Sequence, residues 1–97
     1  MNLQAHESDL VGAWALKDGK MMANATARRI QWLIEHQLVE LGADSSGWDA
    51  LYRDPSDGRL WELTYPQSDS HGGGPPRLTC IDSGEVQRKY GHLKLAG

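Results

Sequence analysis

The chain has little of what most catalytic or export chemistries require. Among its 97 residues Cys80 is the lone cysteine, so no disulfide can close within it, and the apolar setting "LTCI" marks a buried small residue rather than a nucleophile. That usage suits a reducing compartment. Nothing approaches the roughly 18 consecutive apolar residues of a membrane span, and no basic start precedes an apolar stretch, so neither export nor insertion is expected. The expected location is the cytoplasm. Basic residues are also in short supply: Lys and Arg number 10 against 13 Asp and Glu, a net charge of -3. Nucleic-acid binders need a positive stripe that releases counterions, and the chain shows none.

Metal and cofactor signals are missing as well. His6, His36, His71 and His92 are scattered, with no pair at ligand spacing, so neither a metal nor a cofactor is expected. "DPSDG" lacks the alternating oxygens and closing glutamate of a calcium loop and reads as a turn. In "HGGGPP", the glycines suggest a phosphate cradle, but Pro75 and Pro76 remove the N–H donors that a cradle needs. Catalytic signatures are equally thin. Asp57 and Glu62 stand at opposite ends of one expected strand, roughly 16 Å apart, too far for paired catalytic carboxylates. The serines sit in ordinary polar loops, with no nucleophile signature. An enzyme is therefore not expected; a small hydrolase using His71, Glu62 and Asp54 is the catalytic alternative.

What is present points to one α+β domain over residues 1–97, with residues 1–8 as a loose end. "LVGAWAL" and "KMMA" flank "KDGK", whose Asp-Gly tolerates the positive φ of a tight hairpin. Asn24 can cap a helix in which Ala27, Ile30, Leu33, Ile34, Leu38 and Leu41 recur at three- and four-residue steps, with Gly42 as a left-handed stop. That spacing predicts a helix from Ala25 to Leu41, although "HQLVELG" alternates well enough to be a strand. "GWDALYRDPSDGRLWELTYP" is a β-hairpin around a Pro-Gly turn. Pairing Arg53 with Arg59 would set Leu51 opposite Trp61 and Tyr52 beside Leu60. One face should pack on the helix, and the other be covered by the termini or left as an aromatic surface. "RLTCI" forms a further strand, and Asp82 with Glu85 begins a short last helix through Tyr90, ended by Gly91. The expected architecture is a small antiparallel sheet of hairpins packed against one long helix, with a short C-terminal helix.

Between positions 40 and 69, Glu40, Asp44, Asp49, Asp54, Asp57, Glu62 and Asp69 face only Arg53 and Arg59. Interleaved with them are Trp48, Tyr52, Trp61 and Tyr65. Rigid aromatics beside carboxylates suit an interface that anchors on a few side chains and steers a basic partner. The competing reading makes the acids solvated surface and at least one of Trp48 and Trp61 core. Trp32 lies off the helical stripe, as a partly covered ring or a partner-facing anchor.

The stretch "GWDALYRDPSDGRLWELTYPQSDSHGGGPPRL", with "LVGAW" and "RRIQWL", resembles the immunity protein 27 family of bacterial polymorphic toxin systems. The resemblance implies a small cytosolic protein that binds a cognate toxin encoded by a neighbouring gene and neutralises it by occlusion. A nuclease is the toxin class that an acidic inhibitor suits. The expected toxin-binding residues are Trp48, Tyr52, Asp54, Asp57, Trp61, Glu62, Tyr65, His71, Gly72, Gly73 and Gly74. Within that set, His71 and Glu62 either hold the Gly-Pro loop by hydrogen bonds or touch toxin directly. Direct nucleic-acid and membrane contacts are not expected, and exposed aromatics leave a homodimer open. A regulatory subunit of another partner is the remaining alternative.

Overall fold

In the computed structural model, residues 3–66 and 74–93 are described. Three strands open the chain: β1 (Asp9–Val11), β2 (Trp14–Lys17) and β3 (Lys20–Ala23). Helix α1 (Ala25–His36) follows, then β4 (Val39–Ala43), β5 (Ala50–Arg53), β6 (Leu60–Thr64), β7 (Arg77–Ile81) and α2 (Ser83–Tyr90). Five strands form one antiparallel sheet in the order β1-β7-β6-β5-β4, and β2 with β3 forms a separate two-stranded ribbon. The α+β class is as expected. No helix among the described residues is long and apolar enough to cross a membrane.

The Asn24 side chain accepts the Ala27 N–H at 2.8 Å, satisfying one orphan donor of α1 as its capping chemistry predicts. The helix buries Ala27, Ile30 and Leu33 on one stripe. It is shorter than the expected 25–41. Beyond Gln37 the chain extends into β4, whose pairing satisfies the outer edge of β5. Gly42 therefore stops no helix: it lies in a strand, beside a register shift between Glu40 and Gly42. A Cβ there would come within 2.8 Å of the Leu93 side chain.

The β5–β6 hairpin forms, but one residue out of the expected register. Arg53 faces Leu60, Tyr52 faces Trp61, Leu51 faces Glu62 and Ala50 faces Leu63. Asp54 N–H donates to Arg59 O at 2.9 Å, so these two residues close the turn in place of Arg53 and Arg59. Since side chains alternate across a strand, the slip exchanges every face-sharing pair. Tyr52, Trp61, Leu63 and Leu78 pack with Ile30 and Leu33 of α1. On the opposite face, Leu51 packs with Val86 and Tyr90 of α2, flanked by Leu60 and Ile81. The second face is thus covered by the C-terminal helix, not left as an aromatic surface. Asp82 caps that helix by accepting the Glu85 N–H at 2.9 Å, and the helix ends at Tyr90 as expected.

Two further expectations change at the N-terminus. Residues 3–8 are tied down: Leu3 is buried in the core, and Arg59 donates to Gln4 O at 3.0 Å and Glu7 O at 2.6 Å. Arg29 also grips both Glu7 oxygens at 2.6 Å. In addition, Leu10 and Val11 do not belong to the Asp-Gly hairpin. They pair with Leu78 and Arg77 as the sheet's edge strand, while the hairpin itself starts at Trp14.

Antiparallel pairing sorts the connections between two ends of the sheet. The Asp54–Arg59 turn and the start of α2 lie at one, here called the lower end. At the upper end lie the β4–β5 loop, the end of β6 with Tyr65 and Pro66, Gly74, Pro75 and Pro76 before β7, and the exit of β1 toward the β2–β3 ribbon.

Candidate interaction surface

The lower end directs its polar groups inward. Asp54 is fully buried, and one carboxylate oxygen accepts from Ser56 N–H at 2.9 Å, Ser56 Oγ at 2.7 Å and Gln37 Nε2 at 3.2 Å. Its other oxygen has no hydrogen-bond partner among the described residues. Asp57 accepts from Arg59 Nε at 2.6 Å, and the backbone N–H of Arg59, ahead of its side chain, holds the Asp57 carboxyl below its ordinary pKa. The Arg59 guanidinium lies 5.0 Å from the centre of the Trp61 ring. Arg59 thereby joins the turn, the N-terminal segment and the core.

Across the sheet's second face, α2 engages Asp49 and Glu62. Lys89 Nζ lies 2.6 Å from both Asp49 and Glu62, and Tyr90 Oη donates to Glu62 at 2.8 Å. Burial, then the Glu62 carboxylate, pushes the Tyr90 phenol well above its usual pKa. Sequence reasoning missed Lys89, which lies 40 residues from Asp49 and meets it only once α2 has docked.

The upper end is different. Asp44 organises the β4–β5 loop by accepting from Ser46 Oγ at 2.7 Å, Gly47 N–H at 3.0 Å and Asp49 N–H at 3.3 Å. The Ser46 hydroxyl, then these backbone donors, hold its carboxyl below the ordinary value. Ser46 Oγ in turn accepts the Trp48 N–H at 3.2 Å. The loop fixes the Trp48 backbone while leaving 72% of the residue exposed. At the other side of this end, Val11, Gly12, Pro66, Pro75, Pro76 and Arg77 line a cavity of about 210 Å³. Gly12 donates to Pro76 O at 2.9 Å, and a Cβ on Gly12 would meet that oxygen at 2.6 Å, so only glycine allows the two segments to touch.

The ribbon leaves from the same end. Asp18 (φ 52) and Gly19 (φ 76) form its turn, both in the left-handed region that the Asp-Gly pair predicts. Trp14, Leu16 and Met22 are exposed, and Val11 beside the ribbon's base is exposed too. These apolar side chains were not singled out in the sequence. The only signal available was that the short ribbon carries large apolar groups at consecutive positions, too many for one covered face.

The eleven expected contact residues are therefore not gathered on one surface. Trp48 stands in solvent, and Asp57 is part-exposed but paired with Arg59. Tyr65 is half-buried against the core, and Gly74 is buried with φ 67. Tyr52, Asp54 and Trp61 are buried, and Glu62 is engaged beneath α2. These four side chains are withdrawn because the hairpin is covered on both faces. His71, Gly72 and Gly73 lie outside the described residues. Glu62 is bound to α2, whereas Asp54 reaches Gln37 at the end of α1, so the hydrolase alternative's two carboxylates do not converge. Among the described residues no group of His, Cys, Asp and Glu could hold a metal ion.

The family model for immunity protein 27 matches residues 16–82. The chain belongs to the immunity protein 27 family. The match takes in β3, α1 and β4 through β7, so it spans the lower turn, the Trp48 loop and the Gly-Pro connection together. No curated protein and no solved structure matches the chain. Family membership implies an immunity protein that binds a cognate toxin.

Proposed function

We propose that this immunity protein neutralises its toxin by stoichiometric occlusion, without catalysis, and that the upper end of the sheet makes the contact. The observation that carries this reading is the family match over residues 16–82. Trp48 is the anchor: a large ring held on a hydrogen-bonded loop loses little conformational freedom on binding, the property that makes tryptophan an interface hot spot. Tyr65 and Gly74 lie at the same end. The toxin is encoded by the neighbouring gene and meets its inhibitor in the cytoplasm. A nuclease suits the acid excess beyond residue 30, since a nucleic-acid site is positively charged.

Coexpression with the neighbouring gene tests the reading. Cells should survive, and purified inhibitor should abolish toxin activity at one molecule per molecule. Protection by trace amounts would indicate turnover, and cell death despite expression would remove the reading altogether.

A further inference from the structure

Three observations single out the β2–β3 ribbon. First, its described side chains from Trp14 to Met22 are exposed, with Leu16 at 72% and Met22 at 45%. Trp14 and Leu16 share one ribbon face, while Met22, paired with Ala15, belongs to the other. A lone two-stranded ribbon is marginal in water and is ordinarily stabilised by an added strand or a covering surface. Here Asn24 secures its base, where the side chain accepts the Ala13 N–H at 3.2 Å and the backbone N–H donates to Ala13 O at 2.9 Å. Second, the five-stranded sheet offers little edge for pairing. β1 is three residues long and β4 is interrupted by its register shift, so the ribbon is the open element.

Third, the ribbon's charge is opposite to that of the chain. Residues 11–29 carry Lys17, Lys20, Arg28 and Arg29 against Asp18 alone, within a protein of net charge -3. Glu7 pairs with Arg29, whereas Lys20 at the turn and Arg28 in the first turn of α1 are exposed. An apolar ribbon bordered by cations fits an apolar surface bordered by carboxylates.

We propose that the β2–β3 ribbon is a second toxin-binding arm, and that it takes an apolar patch with an acidic rim on the toxin. This rests on the occlusion reading above. The arm leaves the same end of the sheet that holds Trp48 but from the opposite edge, so a partner that spans the width of this end meets both elements. The contact would complete the ribbon's missing cover. It also assigns two electrostatic roles: the cationic arm seeks acidic toxin surface, while the acid excess beyond residue 30 suits a positively charged toxin site.

The test uses the full chain and a catalytically silenced form of the toxin domain encoded by the neighbouring gene, with affinity read by titration calorimetry and association by stopped flow. Leu16→Asp with Met22→Asp should weaken binding about a hundredfold, the scale of losing central apolar contacts. Melting should hold, because both side chains are already exposed. Lys20→Glu with Arg28→Glu touches no core group and should slow association about tenfold at low salt, with a smaller effect at high salt. If wild-type protein does not bind the toxin, the occlusion reading falls and the arm falls with it. Wild-type binding with both double variants unchanged overturns the arm alone. Faster association of the charge-reversed variant overturns the acidic rim. Sedimentation as a dimer that Leu16→Asp with Met22→Asp abolishes, with toxin affinity unchanged, would assign the arm to a second copy and overturn the proposal.

Discussion

The upper and lower ends of the sheet use similar residue types for opposite purposes. At the lower end Asp54, Asp57 and Arg59 close a turn, hold the N-terminal segment and shield Trp61, so their charges are largely answered within the protein. At the upper end Asp44 also organises a loop, but the ring beside it is left in water, and at the opposite edge of the same end the ribbon exposes Trp14, Leu16 and Met22. An aromatic residue among acids is therefore not by itself an interface. What separates Trp48 from Trp61 is whether another element has already covered the ring.

The largest effect should come from the lower half of that contrast. Trp61→Ala should cost about 3–5 kcal/mol of stability, the range for deleting a buried aromatic, because Trp61 is completely buried. Chemical denaturation would show it, and a loss within experimental scatter would place the ring outside the core. Trp48→Ala should leave melting almost unchanged and instead weaken toxin binding by about 2 kcal/mol or more, as hot-spot truncations do. Unaltered affinity would break the contrast between the ends.

Asp54→Ala should destabilise by about 1–3 kcal/mol, since it strands the donors of Ser56 and Gln37. Asp54→Asn retains an acceptor oxygen and should cost less. Equal losses in both variants would mean that the negative charge, not the hydrogen-bond geometry, matters there. At the upper end, Asp44→Ala should leave Trp48 exposed but unfix its loop, so binding weakens by less than in Trp48→Ala while stability changes little.

The smallest effect is one of pH. The Arg29 side chain, followed by the Gln4 backbone N–H, lowers Glu7 from 4.5 to about 2. A depressed carboxyl stabilises the fold above its unfolded pKa, and that contribution is lost as pH falls through the folded value. Between about 4.5 and about 2, wild-type protein should thus lose stability more steeply than Glu7→Gln, as acid titrations of melting would reveal. Equal slopes would remove the N-terminal clamp from the comparison.

Much of this organisation was legible beforehand because it is local. Asn24 and Asp82 announce helix starts through chemistry that acts within three residues, and Asp18-Gly19 announces a turn through its own backbone tolerance. The β5–β6 hairpin was legible as an element but not in register. A one-residue shift preserves the turn signal while exchanging the faces, and the choice depends on how Asp54 and Arg59 close the loop. The end of α1 was ambiguous for a related reason. Leu38 and Leu41 satisfy helical spacing, but Leu38 lies just ahead of β4 and Leu41 within it, and that strand gains pairing partners that lie further along the chain.

The candidate surface was less legible still. The hairpin's composition, acids among aromatics, suggests a surface, yet Tyr52 and Trp61 face α1 and Glu62 meets Lys89 and Tyr90 of α2. Trp48 kept its exposure because its loop passes beyond the sheet. The ribbon's exposure is not legible in the sequence, because apolar residues in a hairpin suggest burial unless the covering elements are known.

By itself, the sequence determined the capped helices, the two tight turns, the α+β class and the family, since these depend on backbone preferences and motifs of neighbouring residues. Only the tertiary structure decided which aromatics are core and which acids are already paired. Burial and ion pairing are properties of segments brought together from far apart, as Lys89 and Asp49 are, and no local pattern encodes that meeting.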